Sequence, residues 1–253
     1  MRHRMGLLGV QVATIPFDTY ILSLAPSAWY KFQDANFNTA TNLTDSSGNA
    51  KHLPRLGASA VAVGAALRNT TTKSANLSTN GSTNNHWRDT GGIFTSISTN
   101  AAALSLIFSF KRTTIAALAF AKIIGWRQAN ASNLFCGMNE FGNDHTSMDI
   151  TLSTTVAGQV EHWIGNSDLN THIYGVTYGG SQIRIFRNGA LVQGPTSVGA
   201  ALTATVTPFE IGGTMSSGSS AHFLIDHVSI FNRKLTDTEM INAQLFYNAE
   251  KLP

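Results

Sequence analysis

Residues 221–248, AHFLIDHVSIFNRKLTDTEMINAQLFYN, carry an extended segment straight into a capped helix. Strict alternation places His222, Leu224, Asp226, Val228 and Ile230 on one face of a strand, and Phe223, Ile225, His227, Ser229 and Phe231 on the other. With apolar residues on both faces the strand reads as largely buried, its polar members falling at one end or over a rim. Thr236 followed three residues later by Glu239 is a capping-box pattern, and Met240, Ile241 and Leu245 suit one packed face of the short helix behind it.

Working outward from this unit, the chain reads as a series of short strands. SAWYKFQD (27–34) alternates as a half-buried strand, and NLTDSSGNAKHLPRL (42–56) places Asp45, Ser46, Gly48 and Asn49 in a turn. Residues 69–92 are the most polar stretch and read as a long loop. Leu104 to Phe110 alternates as a core strand, and ALAFAKIIGW (117–126) is read as strand despite its alanines. THIYGVTYGGSQIRIFRNGALVQG (171–194) reads as consecutive antiparallel hairpins, turning at Gly179–Gly180 and again at Asn188–Gly189. Many short strands with one terminal helix predict an all-β sandwich of two antiparallel sheets, in a single domain over 26–253. Residues 1–25, with Pro16 and Pro26, are set apart as an N-terminal arm or assembly segment.

Composition narrows the function classes. The 253 residues carry a net charge of +3 and only 12% charged side chains, about half the usual proportion. No basic stripe for nucleic acid is present in the sequence, and no apolar run is long enough to cross a bilayer. The start, MRHRMGLLGVQVAT, has the outline of a secretory signal, but Gln11 interrupts the apolar run. Five N-x-S/T patterns, at Asn42, Asn69, Asn76, Asn80 and Asn130, arise easily in so Asn/Thr-rich a chain. The single cysteine, Cys136, excludes an intrachain disulfide and reads as a small hydrophobe in a strand.

Sugar recognition calls for an exposed aromatic plane beside amide or carboxylate partners. Trp87, with Asn85 and Asp89, is the stretch that best supplies it, with Tyr178 bordering a loop; the alternative is a tryptophan pinning the loop to the body. Trp29, Trp126 and Trp163 read as core residues. Asp45 and Asn49 offer hard oxygens for a calcium ion, against the alternative of an ordinary turn that satisfies its own backbone. Glu140, Asp144, Asp149 and Glu161 show no spacing that sets two carboxylates across a cleft, so no catalytic residue is assigned and the chain is read as non-enzymatic.

The order of segments resembles the laminin-G-like, concanavalin A-like jelly-roll domains. SAWYKFQD with LTDSSGNAKHL looks like their opening strand and D-x-S-G-N turn, and LSLIFSFKR like the strand that often ends in W-x-K or F-x-K. HIYGVTYGGSQIRIFRNGALV looks like their hairpin with an N-G turn, and FEIGG with FLIDHVSIFNRKLTDTEM like their closing signature. His227 stands where that signature usually has glutamate. The resemblance spans roughly 26–248 and implies structural roles for Asp226, Arg233, Asn188 and Gly189. It further implies a virion component of a bacterial virus, in a capsid decoration, tail or fibre, contacting copies of itself or neighbouring structural subunits. Host surface polysaccharide is a further contact to test. A carbohydrate-binding lectin-like module and a polysaccharide-acting enzyme are the alternatives.

Overall fold

The computed structural model describes residues 15–34, 37–56, 60–77, 86–89, 103–113, 122–127, 134–140, 147–154, 158–160, 163–165, 168–197, 209–212 and 223–253. Between 122 and 165 it describes backbone only, except at Ile124 and Gly125.

Two antiparallel sheets form the body. The first runs β15 (Ala190–Ser197), β14 (Gln182–Arg187), β13 (Thr171–Gly179), β7 (Ala103–Arg112), β17 (Phe223–Phe231), β5 (Ser74–Asn76) and β4 (Ala62–Gly64). β1 (Ala28–Lys31) pairs with the other half of the β17 edge that β5 occupies. The second runs β11 (Gly158–Val160), β10 (Ser147–Thr154), β9 (Leu134–Glu140), β8 (Lys122–Arg127), β16 (Phe209–Ile211), β6 (His86–Arg88), β3 (Leu53–Leu56) and β2 (Asn42–Leu43), with β12 (Trp163–Gly165) also on β10. The predicted all-β jelly-roll sandwich with a C-terminal helix is therefore the observed architecture.

The central strands of the first sheet are buried on both faces. Its inner face gives Leu104, Leu106, Phe108, Tyr174, Val176 and Ile183 to the core shared with the second sheet. Its outer face gives Ile107, Ile173, Phe186 and Phe231 to a second core closed by two helices, α1 (Phe17–Ser23) and α2 (Asp237–Glu250). SAWYKFQD is consequently not half-buried: Tyr30 faces the sheets' core while Trp29 lies under the helices.

Helix α1 has only seven residues, too few to hold a helix by propensity. It forms because Phe17 and Ile21 are fully buried, each worth about 1.5–3 kcal/mol. Pro16 offers no side-chain cap, and the Phe17 N–H donates instead to Glu250 Oε1 at 2.8 Å, at the far end of α2. Residues 15–25 thus fold onto the body instead of standing off as an arm; residues 1–14 lie outside the described residues.

Helix α2 starts at the predicted capping box: Thr236 Oγ1 accepts from Glu239 N–H at 3.2 Å, and Glu239 Oε2 accepts from Thr236 N–H at 2.8 Å. Its packed face is Met240, Ala243, Gln244 and Tyr247, with Leu245 turned to solvent. That spacing is the i, i+3, i+4, i+7 stripe of a helix lying flat on a sheet.

The closing strand departs from strict alternation. Register slips between Ile225 and His227, so the bulge at Asp226 inserts one residue against β7. Phe223 and Ile225 face the inner core before it, and Val228 and Ile230 face the same core after it. Nor do the polar members sit at a rim: Asp226, His227 and Ser229 are all fully buried.

Both hairpin turns have two residues. The first is Gly180–Ser181, one position later than the sequence suggests, and the second is Asn188–Gly189. All four residues have positive φ, as such turns require.

Candidate functional site

The D-S-S-G-N turn builds one wall of a surface cleft. Asp45 Oδ1 accepts from the Trp29 and Ser47 backbone N–H groups at 2.8 and 2.9 Å. Its Oδ2 accepts from Ser47 Oγ at 2.8 Å and from Lys51 N–H at 2.9 Å. Asn49 then stitches the turn to the segment before β1, its Nδ2 donating to the carbonyls of Pro26 and Ser27 at 3.0 and 3.3 Å. A third segment joins where Asn232 N–H, just past β17, donates to Ser27 Oγ at 3.1 Å.

These segments enclose a cleft of about 600 Å³, within the range of small-ligand sites. Leu22, Ala25 and Pro26 form its apolar side; Ser27, Asn49, Lys51 and Asn232 form its polar side. Asn49 Oδ1 and the side-chain amide of Asn232 have no hydrogen-bond partner among the described residues. Ala25 in its lining and Ala50, between the lining residues Asn49 and Lys51, hold left-handed φ of 53° and 55°. Such conformations cost about 1–3 kcal/mol and gather at ligand clamps. The cleft therefore presents the held amide of Asn49, the exposed amide of Asn232 and a hydroxyl beside an apolar strip.

The turn does not fit a calcium ion. Both Asp45 oxygens are already occupied by two donors each, and only Asn49 Oδ1 is left over from the two proposed ligands. Among the described residues no three His, Cys, Asp or Glu side chains converge as a metal site.

Neither aromatic residue singled out for sugar stacking is exposed. Trp87 is fully buried against Phe32 and Phe37, at ring separations of 5.4 and 6.3 Å, because β6 turns it inward between the sheets. Tyr178 is a core residue of β13, and Asp89 is buried with its N–H on Phe209 O. Asn85 lies outside the described residues, as do Asp144 and Glu161; of Cys136, Glu140, Asp149, Trp126 and Trp163 only the backbone is described, in strands.

Asp226 anchors a buried ion cluster. Its Oδ2 accepts from Arg68 Nε at 2.7 Å and its Oδ1 from Gln33 Nε2 at 3.1 Å. Arg68 Nη1 donates to Asp18 of α1 at 2.8 Å and to Glu250 of α2 at 3.1 Å, with the guanidinium over the Phe17 ring. Burial pushes the Asp226 carboxyl up while Arg68 opposes it. Sequence reasoning passed over Arg68, whose only cue was a lone cation between apolar and polar runs.

His227 fills its place with a neutral ring. The Trp29 indole N–H donates to Nδ1 at 2.9 Å, which puts the proton on Nε2, facing Ser229 Oγ at 3.1 Å. Burial, with Arg68 and Lys31 adding to it, holds its pKa well below the usual histidine value. Arg233 clamps Glu239 through both oxygens at 2.9 and 3.0 Å and donates to Leu24 O at 3.1 Å, tying α2 to the end of α1 beside the cleft. Asn188 Oδ1 accepts from Ile173 N–H at 3.1 Å, and Gly189 N–H donates to Gln244 Oε1 at 2.6 Å, so this turn docks on α2.

The architecture is a concanavalin A-like, laminin-G-type jelly roll. Residues 119–240 match the family model described as the concanavalin A-like lectin/glucanases superfamily. Among solved structures, the chain is similar to a Trypanosoma rangeli sialidase in complex with the inhibitor DANA, at TM-score 0.56 and 12% identity, over 87% of this chain and 32% of that one. It is also similar to the receptor binding domain of botulinum neurotoxin C/D mosaic serotype, at TM-score 0.60 and 14% identity, over 87% of this chain and 51% of that one. A third, HCR/D-Sa-GBL1/C, gives TM-score 0.60 and 16% identity, over 88% and 52%. This chain thus spans between about a third and about half of those structures. No curated protein matches it in sequence. Among the described residues no helix is long and apolar enough to cross a membrane.

Proposed function

We propose that the protein is a carbohydrate-binding, lectin-like module that holds sugar in the cleft between the Asp45 turn, Pro26–Ser27 and Asn232, without catalysing its cleavage. The observation that carries this reading is the pair of exposed amide groups, Asn49 Oδ1 and the Asn232 side chain, with no hydrogen-bond partner among the described residues, beside an apolar strip. A pyranose offers the matching pattern, hydroxyls at its rim and C–H groups on its face. The jelly-roll fold supports the reading, since a toxin receptor binding domain and a sialidase share it. Most glycoside hydrolases flank the glycosidic bond with two carboxylates, and no described residue lining this cleft carries one.

Residues 15–25, within the segment set apart at the start of the sequence, lie folded against the body. Sugar binding therefore leads, and particle assembly is the second use to which such a module is put. A glycan array probed with the full chain and with Asn232→Ala tests the proposal. Captured glycans should be lost with Asn232→Ala, whose side chain has no hydrogen-bond partner among the described residues; capture unchanged by the substitution, or no capture, overturns it.

A further inference from the structure

We infer that the sugar held in this cleft carries an acetamido group, its N–H donating to Asn49 Oδ1, its carbonyl accepting from the Ser27 hydroxyl and its methyl covering Leu22 and Ala25. This rests on the reading of the cleft as a sugar site. The Asn49 amide can be turned only one way, because Nδ2 donates to the carbonyls of Pro26 and Ser27. Oδ1 is therefore a fixed acceptor, with no donor among the described residues. The Ser27 hydroxyl oxygen accepts from Asn232 N–H, and its own proton has no acceptor among the described residues. Ser47 offers nothing further, since its Oγ donates to Asp45 Oδ2 and accepts from Asn49 N–H and Nδ2. Lys51, the charged residue of the lining, already has a partner within the protein.

The apolar part of the lining is small. No aromatic ring is among the described residues that form it, and Pro26 is buried, which leaves Leu22 and Ala25 exposed. Ala25 N–H donates to Leu22 O at 3.0 Å and holds the two together. With no aromatic plane a pyranose ring has no stacking partner here, whereas a methyl gains by leaving water against two aliphatic side chains. Ser27 joins this patch to Asn49, its carbonyl accepting from Asn49 Nδ2 at 3.3 Å. A fixed acceptor, a free donor and a small apolar patch along one connected wall match the three parts of an acetamide. A carboxylate would set oxygen against Asn49 Oδ1, and a plain hydroxyl would leave Leu22 and Ala25 in water.

The test is calorimetric titration of the full chain with oligomers of N-acetylglucosamine and N-acetylgalactosamine, with the same oligomers bearing hydroxyl in place of acetamido, and with uronic acid oligomers. Wild type should bind the acetamido sugars about tenfold more tightly than their hydroxyl counterparts, the gain of a buried methyl with a second hydrogen bond. Leu22→Asn should bring the two close to parity, and Ala25→Gly, which also relieves the left-handed φ at that position, should do so in part. Hydroxyl sugars bound as tightly as acetamido sugars, or a preference that survives both substitutions at an unchanged melting temperature, overturn the inference. Hydroxyl sugars or uronates bound through Asn232 with acetamido sugars ignored would sink it and leave the sugar-binding reading standing. Sugars bound with no dependence on Asn232, or none bound at all, would sink both.

Discussion

Arg68 faces three carboxylates from inside the protein: Asp226 fully buried, Glu250 nearly so and Asp18 partly exposed. Removing one member of a buried pair leaves the other charged without a counterion, at about 3–5 kcal/mol. Arg68→Met should therefore lower stability by that order in urea titration, and Asp226→Asn added to it should restore a large part. A cost that simply summed in the double variant would contradict the pairing. His227 and His172 are both held below the usual histidine pKa, chiefly by burial. Below about pH 6.5 the unfolded chain binds protons that the folded chain refuses, so stability should fall as pH drops through that value. Measured between pH 7.5 and 5.5, the slope should flatten in His227→Asn.

At the scale of elements, the two helices rest on features of strands and turns. A Cβ at Gly175 of β13 would meet the Met240 sulfur, so Gly175→Ala should cost about 1–3 kcal/mol by overpacking. Met240→Ala should relieve part of that cost when combined with it. Thr236→Ala should lose about 1 kcal/mol with its cap. Glu239 is held at about 2, first by its hydrogen bonds from Arg233. The stability it lends is complete above its unfolded value and is lost as pH falls toward about 2. Melting curves on Glu239→Gln against wild type, at pH 6 and pH 2.5, should converge at the lower value.

For the whole molecule, the two-sheet body and the closing helix were legible because hydrophobic period, turn residues and capping box all point the same way. Asn188–Gly189 and Thr236–Glu239 are local signals and survive in three dimensions. Three things were not legible. A bulge at Asp226 shifts phase without changing composition, so alternation assigned Val228 and Ile230 to the wrong side. Trp87 looked like a loop platform because its neighbours in sequence are polar, whereas its neighbours in space are Phe32 and Phe37. The cleft joins positions near 26, 49 and 232, a convergence that no local pattern announces. The second core under α1 and α2 predicts that a chain cut after residue 236 exposes Ile107, Ile173 and Phe186. Such a fragment should bind a hydrophobic dye and aggregate, whereas a soluble two-state monomer would show that the helix layer is dispensable.

The Arg68 cluster also bears on how long the folded state lasts. Its three carboxylate partners lie 50, 158 and 182 positions away along the chain. Contacts of such long reach are expected to form late, after the local hairpins have paired. Interactions absent from the transition state change the rate of escape and leave the rate of entry alone. Arg68→Met should therefore steepen the early loss of folded protein, accelerating unfolding in stopped-flow denaturant jumps while refolding keeps its pace. That outcome would make the central arginine a latch on lifetime, set after the sandwich has closed.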